Sequence, residues 1–177
     1  MTHQTIETTH LDKTDADRFK EAFGAQAAGV AIITAIGSDG KPAGITLSSL
    51  SSVSADPAMV AFSFQARKGT PERIADSASF LIHLVDAENV LIAKNFANTN
   101  YPKFEDESTY EFLETGEPML KGFGRVFRVE PVSVVEANPA IVFLAKVTDF
   151  VKHEPQGATP VVYHARKFHQ LGEHYEI

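Results

Sequence analysis

The sequence has 177 residues, of which 44% are hydrophobic and 22% are charged, and its formal net charge is -7. This length suits a single domain that buries roughly 70% of its extended-chain surface. The acidic balance, without any basic cluster, argues against nucleic-acid binding. No apolar run reaches the ~18 residues of a membrane span, and the N-terminus lacks a hydrophobic signal region, so we expect a cytoplasmic protein without membrane contact.

The residue types also limit the chemistry. The sequence contains no cysteine, which excludes disulfides, thiolate nucleophiles and cysteine metal ligands. It has no P-loop, no G-x-S-x-G elbow and no G-x-G-x-x-G after a predicted strand. Any redox chemistry must therefore come from a bound cofactor, and a nicotinamide would not bind in a Rossmann domain.

The N-terminal part of the chain divides into a tail and a first helix. Residues 1–13 are polar and aperiodic, which predicts a disordered tail before a single domain over 14–177. Thr14 resembles an N-cap, and Gly24 is a suitable terminator, so a helix is expected between them. Its apolar face carries Phe19, Ala22 and Phe23.

Strands dominate the rest of the chain. The apolar, β-branched segment Gly29–Ile36 is followed by an Asp-Gly turn signal at 38–41. A hydroxyl-rich strand comes next, over 45–54, and the apolar segment Ala58–Phe64 follows it. Further strands are predicted over 79–85, 122–136 and 139–152, and a last hairpin over 159–171.

Two more helices and a loop lie between these strands. Thr70 is placed as the N-cap of one helix, with Pro71 at its first position. Asp86 caps the other helix, and a loop covers 98–109. The residues of that second helix that can face the core are Val90, Leu91 and Phe96. Many closely spaced strands with a few capped helices predict a mainly β (α+β) antiparallel barrel with peripheral helices rather than a doubly wound α/β fold.

The hydroxyl-rich strand is unusual because serine is a mediocre strand former. Side-chain alternation along a regular strand leaves neither face consistently apolar. One face holds Thr46, Ser48, Leu50, Ser52 and Ser54, and the other holds Leu47, Ser49, Ser51 and Val53. The segment is therefore either a solvated or bulged strand, or the polar wall of a ligand site.

A second candidate site precedes the helix at Thr70. Arg67, Lys68 and Gly69 lie directly before Thr70 and Pro71, where free N–H groups and the helix dipole attract anions. A charged loop with an ordinary helix cap would show the same residues. One flat, phosphorylated molecule could contact both this loop and the hydroxyl-rich strand.

The histidines give no metal signal. His164 and His169 are five residues apart, which places them on opposite faces of a regular strand and makes joint chelation of a metal implausible. His83 lies within an apolar strand and is interpreted as a hydrogen-bonded core residue.

Several blocks, in order along nearly the whole chain from Phe19 to Leu171, resemble one known family. They read "FKEAFGAQAAGVAIITA", "GITLSSLSSVSADPAMVAFSF", "RKGTPERIADSASFLIHLV", "NVLIAKNFA" and "PVVYHARKFHQL". This pattern resembles the short-chain flavin reductases, which include the reductase components of two-component flavin monooxygenases. The resemblance implies an FMN-binding Greek-key split barrel, a homodimer, FMN (or FAD) as the flavin, NADH or NADPH as reductant, and a separate oxygenase partner.

The resemblance also implies roles for individual residues. The isoalloxazine ring would be held by Thr46, Leu47, Ser48, Ser49, Ser51, Ser52 and Val53. The ribityl chain and phosphate would be held by Ser63, Phe64, Gln65, Arg67, Lys68 and Thr70. Phe96 and Lys103 match positions near the flavin. His164, Phe168 and His169 match a block on the nicotinamide side, where His169 would contact the nicotinamide or line the cleft.

The chain departs from the family pattern at three positions. It has Ser48 where the family often has Asn, Leu50 where an aromatic is common, and Pro102 where an acid is usual. Hydride transfer from nicotinamide C4 to flavin N5 needs no protein nucleophile or acid–base pair, so no catalytic side chain is predicted. Two alternatives remain open at this point: a flavin-binding sensor or carrier on the same barrel, and an FMN oxidase of the pyridoxamine-phosphate-oxidase type.

Overall fold

The computed structural model describes residues 1–5, 12–154 and 158–172. The helices are α1 (Lys13–Gly24), α2 (Thr70–Ile74) and α3 (Val90–Ala97), with short 3₁₀ turns at Ala87–Asn89 and Glu107–Thr109. The strands are β1 (Thr2–Thr5), β2 (Ala28–Gly29), β3 (Ala31–Ile36), β4 (Pro42–Leu47), β5 (Ser51–Ala55), β6 (Ala58–Phe64), β7 (Phe80–Leu84), β8 (Tyr110–Phe112), β9 (Pro118–Leu120), β10 (Arg125–Ala137), β11 (Ala140–His153), β12 (Val161–His164) and β13 (Lys167–Gln170). Within these ranges no helix has the length and apolarity to cross a membrane.

The main sheet closes on itself. Its strand order is β4-β3-β7-β10-β11-β6-β5, so β4 and β5 are the two edges. Yet only Ser48, Ser49 and Leu50 separate these two strands in the chain. The four steps from Leu47 to Ser51 span at most about 14 Å, so the sheet must curl until its edges meet. The predicted antiparallel barrel is confirmed, and we call the junction Ser48–Leu50 the seam.

Phenylalanines fill the interior of this barrel. Phe62 and Phe143, on the neighbouring strands β6 and β11, stack with ring centroids 4.9 Å apart. Phe80 meets both rings edge-on from β7, and Phe64 completes the cluster. Offset and edge-on contacts are the favoured arrangements of aromatic rings, so the cluster gives the barrel a rigid centre.

A second apolar layer lies outside the barrel. Alternate residues of β3 bury opposite faces, with Ile33 in the barrel interior and Ile32 under α3 and the β8–β9 hairpin. Thr34 is also fully buried, and its hydroxyl donates to the Pro118 carbonyl at 2.6 Å. The outer layer thus fixes α3, and with it Phe96, against the barrel.

Most predicted elements are confirmed. Strand β6 has the predicted bounds Ala58–Phe64, and β7 lies within the predicted segment 79–85. Asp86 precedes the 3₁₀ turn Ala87–Asn89, and its N–H donates to Asn89 Oδ1 at 2.8 Å, but the predicted helix itself begins later, at Val90, with Asn89 as its N-cap. Both long strands and the last hairpin are present.

The hydroxyl-rich segment is not one strand, contrary to the prediction. Strand β4 ends at Leu47 and β5 begins at Ser51. The alternation of side chains across Ser48–Leu50 was therefore wrong, because the chain crosses there from one edge of the sheet to the other. The predicted strand Gly29–Ile36 is also interrupted, since Ala28–Gly29 pairs with β12 while β3 begins at Ala31.

The helix boundaries also needed correction. Asp12, not Thr14, is the N-cap of α1, and its side chain accepts a hydrogen bond from the Asp15 N–H at 2.9 Å. Gly69, at φ +69°, is the N-cap of α2 in place of Thr70. Helix α2 has only five residues, so its dipole adds little to the predicted anion site.

The apolar face of α1, one predicted core position and the tail differ as well. Phe19 and Phe23 stack at 4.6 Å but are 56% and 59% exposed. Leu91 is 66% exposed instead of facing the core. Within the predicted disordered tail, Thr2–Thr5 forms β1, which runs parallel to β10, and residues 6–11 lie outside the described residues.

His83 is the buried hydrogen-bonded histidine that the sequence predicted. Its ring is fully buried on β7, with Nδ1 3.2 Å from the Ile32 carbonyl and Nε2 3.0 Å from the Leu120 N–H. The backbone N–H can only donate, so Nε2 accepts and Nδ1 carries the proton. Burial lowers the pKa of His83 to about 4, although the bond to Ile32 opposes the shift.

We predict an acid-sensitive fold. The pKa of His83 falls from 6.5 to about 4 on folding, so the unfolded chain binds more protons between these values. The free energy of unfolding should therefore be constant above pH 6.5 and fall by roughly 3 kcal/mol as the pH drops to 4. Urea unfolding at pH 8, 6.5, 5.5 and 4.5 measures this.

The exposed His153 provides the control. His153→Gln should retain the decline in stability, whereas His83→Gln should flatten it while lowering stability at pH 8. A wild-type free energy of unfolding that stays level between pH 7 and 5 would contradict the prediction.

Candidate functional site

A cavity of about 730 Å³ opens at the seam. This volume lies within the range of small-molecule and cofactor sites. One wall is formed by the end of β4, the seam and the end of β6, and the start of α2 closes one end. Most of the other lining residues belong to α3, the loop after it and the β12–β13 hairpin.

Ser49 holds the seam wall together. Its hydroxyl donates to the Ser63 carbonyl at 2.9 Å and accepts from the Ser63 N–H at 3.0 Å. The serine thus replaces the strand pairing that is missing where the chain leaves the sheet. Ser48, beside it, lines the cavity, and its hydroxyl forms no hydrogen bond within the described ranges. Thr46 donates to the Ala93 carbonyl at 2.6 Å and ties β4 to α3.

The structure brings most of the predicted site residues together and leaves the others outside. The predicted residues that line the cavity are Thr46, Leu47, Ser48, Ser49, Ser63, Phe64, Gln65, Lys68, Thr70, Phe96, Lys103 and Phe168. Those that do not line it are Ser51, Ser52, Val53, Arg67, His164 and His169. The first three of these belong to β5, which begins beyond the seam.

Arg67 is engaged elsewhere. Its guanidinium forms ion pairs with Asp76 and, at 3.0 Å, with Glu136. These contacts direct the side chain toward β10, so the adjacent Lys68 is the cation of this loop that reaches the cavity.

The last hairpin presents aromatic rings to the cavity and histidines to the other side. Tyr163 and Phe168 are paired across β12 and β13, with ring centroids 5.1 Å apart, and both line the cavity. Alternation along the strands puts His164 and His169 on the opposite face, where their rings lie 5.7 Å apart. The expectation that these histidines lie on opposite faces was wrong, because the turn between them reverses the chain.

Phe96 forms the inner wall, and a glycine makes room for it. A Cβ added at Gly44 would lie 2.7 Å from the Phe96 ring and 3.1 Å from the Ile33 carbonyl. Lys103 extends over the same ring, with Nζ 5.7 Å from its centroid, and donates to the Gly44 carbonyl at 3.2 Å. Burial lowers the pKa of the Lys103 ammonium below its ordinary value.

The charge on the cavity wall is one-sided. Lys68, Arg73 and Lys103 line it, and no aspartate or glutamate belongs to the described lining, although the whole chain carries a net charge of -7. Sequence reasoning missed Arg73 and Tyr163. Arg73 follows Thr70 by three residues on a predicted helix, which was a usable signal for the same face. The cationic lining of the cavity suits an anionic molecule with an aromatic part.

The family can now be assigned. The family model described as "Flavin reductase like domain" matches residues 23–172. The chain belongs to this flavin reductase family. An NADH:FMN oxidoreductase of Rhodococcus erythropolis is 29% identical over 157 residues, covering 88% of this chain and 81% of that protein. The reductase component of a 4-nitrophenol 4-monooxygenase/4-nitrocatechol 2-monooxygenase from Rhodococcus opacus is 26% identical over 168 residues, covering 95% and 88%.

A solved structure agrees with the flavin reductase fold. The flavin reductase domain protein from Arthrobacter sp. FB24 is 29% identical and superposes with a TM-score of 0.80, covering 92% of this chain and 99% of that chain. The sequence resemblance to flavin reductases is thereby confirmed at the level of family and fold.

We predict that Ser49 and Ser48 have separable roles in this flavin reductase. Ser49→Ala removes both hydrogen bonds to Ser63 and should lower the free energy of unfolding by about 1 kcal/mol. It should also weaken ligand binding, because the seam wall loses its anchor. Urea unfolding and flavin titration measure the two effects.

Ser48→Ala is the matched control, one residue away and equal in size. It should leave the free energy of unfolding within about 0.5 kcal/mol of wild type. Equal stability losses for the two variants would contradict the role given to Ser49.

Proposed function

We propose that this protein is an NAD(P)H-dependent flavin reductase, which transfers hydride from NADH or NADPH to FMN (or FAD) and supplies reduced flavin to a separate monooxygenase. The observation that carries the proposal is the seam cavity, which combines a polar wall, an aromatic side and a cationic end in one space. The named activities of the related Rhodococcus proteins support it.

The lining residues suit a phosphorylated flavin. The β4 end and the seam, from Thr46 to Ser49, offer backbone and hydroxyl groups to the polar edge of an isoalloxazine ring. Phe96 provides an apolar surface, and Lys68 and Thr70 lie at the end suited to phosphate. When bound, the flavin supplies the N5 atom that accepts a hydride, so the protein needs no nucleophile of its own.

The aromatic side suits the nicotinamide. Tyr163 and Phe168 line the cavity from the β12–β13 hairpin. Lys94 lies over the Phe168 ring, with Nζ 5.7 Å from the centroid. Two flat rings held between these walls would be oriented and shielded from water, which is the contribution that hydride transfer requires of the protein. We therefore assign Phe168 and Tyr163, rather than His164 and His169, to this side.

We predict that the purified protein oxidises NADH or NADPH continuously when excess FMN is present. Absorbance at 340 nm measures the turnover, and the visible spectrum measures bound flavin. Bound flavin without nicotinamide oxidation would instead identify a carrier or sensor. Turnover of a phosphorylated vitamin amine without nicotinamide would identify an oxidase.

Lys68 gives a prediction for the phosphate end of the site. Lys68→Glu should weaken FMN binding about tenfold or more, because a cation that meets phosphate becomes an anion. Riboflavin binding should change little. The ratio of the two dissociation constants, measured by flavin fluorescence, is the readout.

Arg67 is the matched control for Lys68. Arg67→Gln and Lys68→Gln each remove one positive charge from the same loop, but only Lys68 lines the cavity. Lys68→Gln alone should change the FMN-to-riboflavin ratio. Equal weakening of both flavins by Lys68→Glu would remove Lys68 from the phosphate site.

We also propose that the protein is a cytoplasmic homodimer in which residues 14–177 act as one unit. No residue of the twelve-residue helix α1 is buried, and isolated helices of this length are marginally stable. A second copy packed over Phe19 and Phe23 would stabilise it. Light scattering of wild type and Phe19→Ser/Phe23→Ser tests the dimer.

The proposed cytoplasmic location follows from the reaction, because the cytoplasm holds the nicotinamide pool that the reaction needs.

A further inference from the structure

Three groups that suit an anion line the cavity around the start of α2. Lys68 and Thr70 precede and begin α2, and Arg73 lies on the same face of that helix, three residues after Thr70. Sequence comparison with the family had pointed to Lys68 and Thr70 but not to Arg73. Sequence position alone does not show whether Arg73 can bind an anion. Its contacts in the structure do.

Arg73 is held by the turn between β3 and β4. Its carbonyl accepts from the Ser38 N–H at 2.8 Å, and its Nη2 donates to Asp39 Oδ1 at 2.9 Å. The bond from Arg73 is the main reason that the pKa of Asp39 lies below its usual value. The Asp39 carboxylate therefore remains charged near neutral pH and fixes one edge of the guanidinium.

The guanidinium has donors to spare. It carries five N–H groups, and the bond to Asp39 is its one side-chain hydrogen bond within the described part of the chain. Its Nε is buried and has no partner there, so a ligand in the cavity would meet the Nη groups. An arginine fixed at one edge, with unused donors and a place on a cavity wall, is suited to a second anion, because its planar fork can bind carboxylate and phosphate together.

We propose that Arg73 binds the terminal phosphate of the flavin and determines the preference for FMN over riboflavin, with Asp39 as its positioning residue. This inference rests on the proposed function and deepens it. Lys68 and Arg73 both attract a phosphate monoester, whose charge is ≈ -1.5 to -2 at pH 7, and the pairing of Arg73 with Asp39 offsets only one of their two positive charges. Riboflavin lacks that group, so it gains nothing from Arg73.

A purely structural role for Arg73 makes a different prediction. The residue ties α2 to the β3–β4 turn, and its loss would then disturb the cavity for every ligand alike. Discrimination between two flavins that differ only in phosphate separates the two roles. Competition by inorganic phosphate separates them a second time, since it probes the anion site without the ring.

The test uses the full chain with Arg73→Ala, Arg73→Lys and Asp39→Asn, each checked for folding by circular dichroism. Dissociation constants for FMN and riboflavin come from fluorescence titration. We expect Arg73→Ala to weaken FMN binding about 10- to 100-fold and riboflavin binding less than about threefold. Arg73→Lys should recover part of the loss, because it keeps the charge without the fork. Asp39→Asn should have a smaller effect in the same direction.

Inorganic phosphate should compete with FMN on the wild type and much less on Arg73→Ala. An unchanged FMN affinity in Arg73→Ala, or equal losses for FMN and riboflavin, would overturn the inference. In either case wild-type turnover of NADH with FMN would leave the proposed function standing. A wild type that binds neither flavin would overturn both.

Discussion

The structure depends on one geometric constraint, the three-residue connection between the two edges of the main sheet. Strands β4 and β5 are neighbours in sequence, but they are the first and the last strand in the order of the sheet. The sheet must therefore curl into a barrel, and the edges meet without pairing along their length. Backbone groups at such a junction need other partners. Ser49 provides them on β6, and the gap beside it is the cavity.

This arrangement explains why hydroxyl side chains are concentrated where a strand would favour branched apolar residues. At the seam the backbone leaves the ladder, and a short side chain that bonds to the backbone is an advantage there. Ser49 uses its hydroxyl on Ser63 and Thr46 uses its own on Ala93. Ser48 lines the cavity instead. Neighbouring hydroxyl residues thus have two roles. Some stabilise the wall by bonding to the backbone, and Ser48 lines the cavity.

The sequence predicted the fold well and the site in part, for identifiable reasons. Alternation is a local signal, so strand β6 was predicted with its correct bounds, whereas the predicted caps at Thr14 and Thr70 were displaced by neighbouring residues. The seam was not predicted, because local propensity does not say which sheet edges meet. His164 and His169 were placed on opposite faces for the same reason, since a tight turn changes the geometry that spacing alone suggests. Arg73 was missed although its spacing from Thr70 was a usable local signal, and its bond to Asp39 could not be predicted because the two residues are distant in sequence.

The close approach of Phe96 to Gly44 has a consequence for how this site can change over time. The width of the cavity at its inner wall is set by an absent side chain, since even a methyl group at Gly44 would overlap the ring. A larger residue at Gly44 would therefore require Phe96 to shift or to be replaced by a smaller residue. In related proteins that carry a larger residue in place of Gly44, a smaller residue should replace Phe96. Replacing Gly44 alone would crowd the Phe96 ring, and replacing Phe96 alone by a smaller residue would leave a void.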